Sequence, residues 1–222
     1  MPSCCSPGSY VEVFGARQAR RDARRYRKKG LDRTAQLMVE KVGDAEDAAV
    51  LEVGGGVGAI GLELLRSGAS HAINVELSPE YDAEAWALAR EAQVEARVDR
   101  RVGDFARDGV PPADIVAMHR VVCCYPDYEE LLGAASDHAR RVLVFSFPRE
   151  TWWWRFGVRA MNAIQRLRRC AFRAYVHPIA SLLAVPEHHG FSLDFDHEGR
   201  IWRMVVFRRT RPGPGYAHIP PG

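Results

Sequence analysis

The residues best suited to chemistry fall into three stretches, each at the end of an expected strand. The first is Glu52-Val53-Gly54-Gly55-Gly56-Val57-Gly58. Glycines at the end of a strand bring backbone N–H groups close to a ligand, and Glu52 supplies a carboxylate that could meet an ammonium group. Gly56-Val57-Gly58-Ala59-Ile60-Gly61 is also a formal GxGxxG, so the glycines alone suit a dinucleotide equally well. The second stretch ends in Glu76-Leu77, where an acid can accept from both hydroxyls of a ribose. The third is Gly103-Asp104-Phe105, an acid for an adenine amino group beside an aromatic for its ring.

Amino acid, ribose and adenine in that chain order describe S-adenosylmethionine (SAM). A dinucleotide would need room for pyrophosphate at the helix start. The expected cofactor-binding set is Glu52, Gly54, Gly55, Gly56, Gly58, Glu76, Leu77, Asp104, Phe105 and His119. His119 and Tyr125 are the candidate catalytic groups, His119 as a general base and Tyr125 as a group that orients a substrate oxygen. No metal site is assigned. Cys4, Cys5, Cys123 and Cys124 would offer four thiolates to a soft metal if the N-terminal arm folded over the cleft. Adjacent cysteines lack C-x2-C spacing, so incidental thiol pairs are the expected reading.

These groups need a scaffold that brings strand ends together. Ala49–Val53 reads as a buried strand, and His71–Glu76, Val98–Val102, Asp114–Met118 and Val142–Phe147 read as the next four strands. Helices are expected over residues 16–29, 34–42, 59–66, from Ser78-Pro79 to about Ala96, 128–140, 152–167 and 178–189. Phe191–Asp196 and Ile201–Arg208 read as a hairpin. The expected fold is α/β: a Rossmann-like, doubly wound sheet, mostly parallel, with an antiparallel C-terminal hairpin and an N-terminal helical cap. The expected division is 1–47 for arm and cap, 48–210 for the SAM-binding domain with a helical insertion over about 150–177, and 211–222 for a flexible tail.

The glycine motif E-x-G-x-G-x-G, the acids at Glu76 and Asp104 and the final hairpin resemble class I SAM-dependent methyltransferases. That resemblance implies a ribose acid at Glu76 and adenine contacts at Asp104 and Phe105. A narrower resemblance is to magnesium-protoporphyrin O-methyltransferases, carried by Val122-Cys123-Cys124-Tyr125-Pro126, by Phe145-Ser146-Phe147-Pro148-Arg149-Glu150-Thr151-Trp152-Trp153 and by Arg173-Ala174-Tyr175-Val176-His177. The family's histidine before Tyr-Pro falls on Cys124, a departure at its proposed catalytic position. The expected acceptor is a small amphipathic or carboxylate-bearing molecule, and a carboxylate, already ionised at neutral pH, needs little base.

Composition limits the alternatives. With 47% hydrophobic and 27% charged residues, the chain is that of a globular protein. No D/N-P-P-Y tetrad follows the fourth strand and no Pro-Cys pair occurs, so nucleic-acid methylation is disfavoured. Residues 1–15 have no apolar run of the leader type, and five cysteines are an odd number; both favour a cytoplasmic setting. Arg17, Arg20, Arg21, Arg24, Arg25, Arg27, Lys28 and Lys29 form a basic stretch that could hold an acidic substrate, RNA or an anionic membrane, with a solvated helix face as the expected reading. With Trp152-Trp153-Trp154 it leaves peripheral membrane contact open, while oligomeric state is not legible. The competing functions are an NAD(P)-dependent oxidoreductase using the GxGxxG loop, and a non-catalytic methyltransferase-like protein that binds RNA or a membrane.

Overall fold

A computed structural model describes Val11 and residues 13–210. Seven strands form one sheet in the order β3-β2-β1-β4-β5-β7-β6. They are β1 (Ala49–Val53), β2 (His71–Glu76), β3 (Val98–Val102), β4 (Ala113–His119), β5 (Ala139–Pro148), β6 (Phe191–Glu198) and β7 (Trp202–Arg209). β1 to β5 are parallel and β7 runs antiparallel to both β5 and β6. The expected mixed, doubly wound architecture is what the chain adopts.

Helices cover both faces, which is why the central strands are continuous apolar runs rather than alternating ones. One face carries α1 (Ala16–Lys29), α2 (Arg33–Lys41), α3 (Ala59–Arg66) and α4 (Asp82–Glu91). Met38, Leu64 and Leu88 pack there against Val50, Ala117 and Val144. The other face carries α5 (Tyr128–His138) and α7 (Ile179–His188), with Leu131, Leu132 and Leu182 against Leu51, Met118 and Phe145. Fully burying a side chain of this size contributes roughly 1.5–3 kcal/mol. Between them in sequence lies α6 (Trp152–Leu167), which has Val158 as its buried residue. Among the described residues no helix is long and apolar enough to cross a membrane.

Several sequence boundaries move for identifiable reasons. The helix expected from Ser78 to about Ala96 is a short 3-10 turn, Pro79–Tyr81, followed by α4, which stops at Glu91. Gln93, at φ 57°, breaks it. Ser78 does not cap it: its hydroxyl donates to the Phe14 carbonyl at 2.6 Å and ties the N-terminal segment down. α5 ends at His138, because residues 139–141 are recruited into β5. α2 begins one residue earlier than expected, because Asp32 is its N-cap and accepts from the Thr34 and Ala35 N–H groups. Of the N-terminal helices, α2 packs Leu37 and Met38 into the core on one face of the sheet, and α1 lines the cleft at the strand ends. The arm holding Cys4 and Cys5, and the tail 211–222, lie outside the described residues.

Candidate active site

The carboxyl ends of β1, β2 and β4 meet where the strand order reverses, and a cleft of about 400 Å³ opens there. Glu52, Gly54, Gly55, Gly56, Glu76, Leu77, Asp104, Phe105, His119 and Tyr125 line it. Gly58 does not; it forms the left-handed N-cap of α3, at φ 78°, behind the loop.

The loop is narrow because the space behind it is full. A Cβ on Gly55 would collide with the Asn74 amide and stand 2.7 Å from Glu52 Cδ. Glu52 is 3% exposed. Its carboxylate does not point freely into the cleft: it accepts from Gly61 N–H at 2.8 Å and Ile60 N–H at 3.2 Å, at the start of α3. Burial pushes its pKa up to about 7, against those hydrogen bonds and the nearby Arg100 charge. Glu76 accepts from Gly56 N–H at 2.9 Å and Ser78 N–H at 3.0 Å, and burial raises its pKa too. A carboxylate has about four lone-pair sites, so these two bonds leave Glu76 capacity for a ligand.

Arg100, which sequence reasoning passed over, underlies both acids. Its guanidinium is 2% exposed and donates to Asp82 at 2.5 Å, Asn74 Oδ1 at 2.8 Å and the Gly56 carbonyl at 2.9 Å. One buried cation thereby fixes the loop from below and offsets two buried acids. In β3 the pattern Val98-Asp99-Arg100-Arg101-Val102 resembles an ordinary edge strand, which hides this role.

Beyond β3, Asp104 accepts from the Tyr125 hydroxyl at 3.2 Å and from Ala106 N–H at 3.2 Å. Burial raises its pKa. Phe105 is buried and meets His138 edge-on. The Tyr125 hydroxyl thus lies at the Asp104 end of the cleft and braces that carboxylate.

The other wall is built from α1, the α1–α2 turn and the end of β4. Asp32 Oδ2 lies 2.8 Å from Arg120 Nη2, 3.3 Å from His119 Nε2 and 3.7 Å from Arg25. Burial alone would raise the Asp32 carboxyl, but the His119 hydrogen bond, the Arg120 charge and the helix N–H groups hold it well below the usual carboxylate range. The Ser146 hydroxyl oxygen accepts from Arg120 N–H at 3.0 Å and lies 2.9 Å from His119 Nδ1. Its own proton can then go to Nδ1, while Nε2–H faces Asp32, which assigns the neutral Nε2–H tautomer. Burial, opposed by Asp32, lowers the His119 pKa and keeps that neutral form. Both ring nitrogens are therefore occupied. Asp32 and Arg120 were missed in the sequence, where the N-cap character of Asp32 was the available signal; Arg25 belongs to the basic stretch already singled out there, and it lines the cleft.

Cys123 and Cys124 sit on one 3-10 turn with their sulfurs 3.9 Å apart, and both thiols face the Arg120 carbonyl. Among the described residues no group of three or more His, Cys, Asp and Glu is arranged to hold a metal. Cys4 and Cys5 lie outside those residues, so the four-thiolate idea is carried only by its Cys123–Cys124 half.

The family model of the O-methyltransferase domain matches residues 7–135, more than half of the chain. Comparison with the curated proteins finds no match. Among solved structures, magnesium protoporphyrin IX methyltransferase from Synechocystis with bound SAH is similar at TM-score 0.65 and 23% identity, over 80% of this chain and 82% of that one. Geranyl diphosphate C-methyltransferase from Streptomyces coelicolor is similar at TM-score 0.64 and 14% identity, over 79% and 76% of the two chains. An O-methyltransferase family 2 protein from Planctomyces limnophilus, in complex with apigenin, is similar at TM-score 0.63 and 14% identity, over 88% and 62%.

Proposed function

The chain belongs to the O-methyltransferase domain family, and on that premise we propose that it transfers the methyl group of SAM to an oxygen of a small amphipathic acid. SAM supplies an electrophilic methyl carbon on a sulfonium. The residues present fit it: the Gly54–Gly56 backbone forms one wall with no side chain, Glu76 has unused acceptor sites for the ribose, and Asp104 with Phe105 offers an acid and an apolar ring for the adenine. Family membership favours this donor over a nicotinamide cofactor, and the odd cysteine count favours a cytoplasmic setting.

The observation that carries the acceptor class is the cationic wall opposite the glycine loop. Arg120 and Arg25 both line the cleft and share one carboxylate, Asp32. The other acid of this wall, Asp22, is hydrogen-bonded by Gln18 and the Tyr81 hydroxyl, so the two guanidiniums, which share only Asp32 as an ion-pair partner, keep donors for an anionic group. A carboxylate acceptor is ionised at neutral pH and needs no base. That agrees with a His119 whose ring nitrogens are already engaged. His119 is then a positioning residue: with Ser146 it holds Arg120 at a left-handed backbone position, φ 63°. What remains for the protein is alignment of the acceptor oxygen with the methyl carbon.

The test is labelled methyl transfer from SAM to a panel of amphipathic carboxylic acids and their matched primary amides. The acids should accept methyl and the amides should not. Arg120→Met should raise the acceptor KM by about tenfold or more while SAM affinity by calorimetry stays within about twofold. Equal use of acids and amides would refute the carboxylate reading, and so would an Arg120→Met variant that changes only kcat.

A further inference from the structure

α6 is placed the wrong way round for a helix of a water-soluble domain. Its inward side carries Trp154, Val158, Asn162 and Gln165. Its outward side carries Trp152 (81% exposed), Phe156 (69%), Ile164 (51%) and Leu167 (84%). Soluble helices turn their apolar stripe to the core and their charges to water. Here the stripe is complete and faces solvent.

The orientation is fixed by specific bonds. Asn162 donates through Nδ2 to the Ala174 carbonyl at 2.8 Å and accepts from Ala174 N–H at 3.0 Å. That two-way clamp, on the inward side with Val158, leaves the apolar face outward. The charge around the face is of one sign. No Asp or Glu occurs between Glu150 and Glu187, an interval that contains six arginines. Arg155, Arg159 and Arg166 run along one flank, and Arg168 and Arg169 follow the last turn. Among the described residues, Arg159, Arg166, Arg168 and Arg169 form no ion pair.

We propose that α6 docks on an anionic lipid surface, with Trp152, Phe156, Ile164 and Leu167 inserted at the headgroup boundary and the flanking arginines on lipid phosphates. An exposed apolar stripe edged by arginine, with tryptophan at one end, is what a helix lying in such an interface requires. Charge decides between occupants. A second copy meeting this face would bring two arginine flanks together with no acid on the helix to neutralise them, whereas anionic lipid supplies that charge. The docked helix would also adjoin the cleft. The segment after α6 packs Phe172 edge-on against Phe14, a cleft-lining residue, and Tyr175 N–H donates to the Cys123 carbonyl at 2.8 Å.

The experiment is sedimentation of the full chain with vesicles of phosphatidylcholine alone or with about one third phosphatidylglycerol, which reads docking whatever the methyl acceptor is. Partition onto the anionic vesicles should exceed that onto neutral ones by about tenfold or more, with a blue shift of tryptophan emission. Trp152→Glu/Phe156→Glu/Leu167→Glu, three solvent-facing changes, should lower it by about tenfold or more with SAM affinity unchanged. Arg159→Glu/Arg166→Glu should lower it by a similar factor. Equal partition onto both vesicle types, or binding that survives the triple change, would overturn the proposal. So would a concentration-dependent dimer that the triple change abolishes in a protein that ignores vesicles.

Discussion

The two walls of the cleft are built on different physics. The glycine wall is buried: Glu52, Glu76, Asn74 and the Arg100 guanidinium are shut away from water and bonded largely to backbone. The cationic wall is half open: Asp32, His119 and Arg120 are joined side chain to side chain across three elements, and Arg25 is exposed. The first kind of wall is rigid because displacing any part strands a buried charge. The second can trade one partner for another at modest cost. On the proposed function, the rigid wall would hold the methyl donor and the adaptable wall the acceptor.

The largest effect should come from the buried cation. Arg100→Met removes the charge shared by Glu52, Glu76 and Asp82 and leaves the Gly56 carbonyl and Asn74 Oδ1 without a donor. Breaking such a network costs about 3–5 kcal/mol, measurable as a drop in the urea midpoint. A loss under about 1 kcal/mol would mean that the glycine wall is no more rigid than its counterpart.

A smaller effect with a distinctive pH signature concerns Glu52. Its folded pKa is raised to about 7 by burial, above its value in an unfolded chain. The folded state therefore holds a proton that the unfolded chain releases, and stability is lost as pH rises through about 7. The size is about 3 kcal/mol between about pH 5 and about pH 8. Glu52→Gln should remove most of that slope. A wild-type stability that is flat over this range would show that Glu52 stays ionised.

The same contrast explains what the sequence disclosed. Most of the glycine wall is local: β1, α3 and β2 could be bounded to the residue and Glu52, Glu76 and Asp104 put at strand ends from order alone, whereas Arg100, 44 residues from the Gly56 carbonyl it bonds, could not. Their hydrogen bonds were not legible, because nothing in Glu52 says that it will cap α3 instead of facing the cleft directly. The cationic wall is non-local. Asp32 and His119 are 87 residues apart, and only the folded sheet brings them together. α6 shows the limit of periodicity itself. In the sequence Trp153, Phe156, Ala160, Ile164 and Leu167 recur at helical spacing, yet which side of the helix meets the protein is decided by the Asn162–Ala174 clamp.

The smallest stability effect should come from the cationic wall, and it sharpens the comparison most. Asp32→Asn keeps an oxygen for the Thr34 and Ala35 N–H groups, so the α2 cap survives. What changes is the atom facing Arg120 and His119, from an acceptor to a donor. His119 can answer by moving its proton to Nδ1 and donating to Ser146, with Nε2 accepting from the new amide; nitrogen NMR would read the switch. With that adjustment the cost is about 1 kcal/mol at neutral pH. Its pH dependence has the opposite sign to that of Glu52. The folded pKa of Asp32 is depressed, so its contribution is present at neutral pH and disappears as pH falls below the usual carboxylate range. Wild type and variant should therefore converge in acid. A gap that widens as pH falls would mean that Asp32 is protonated in the folded protein, and that Arg25 and Arg120 face the cleft without their shared acid.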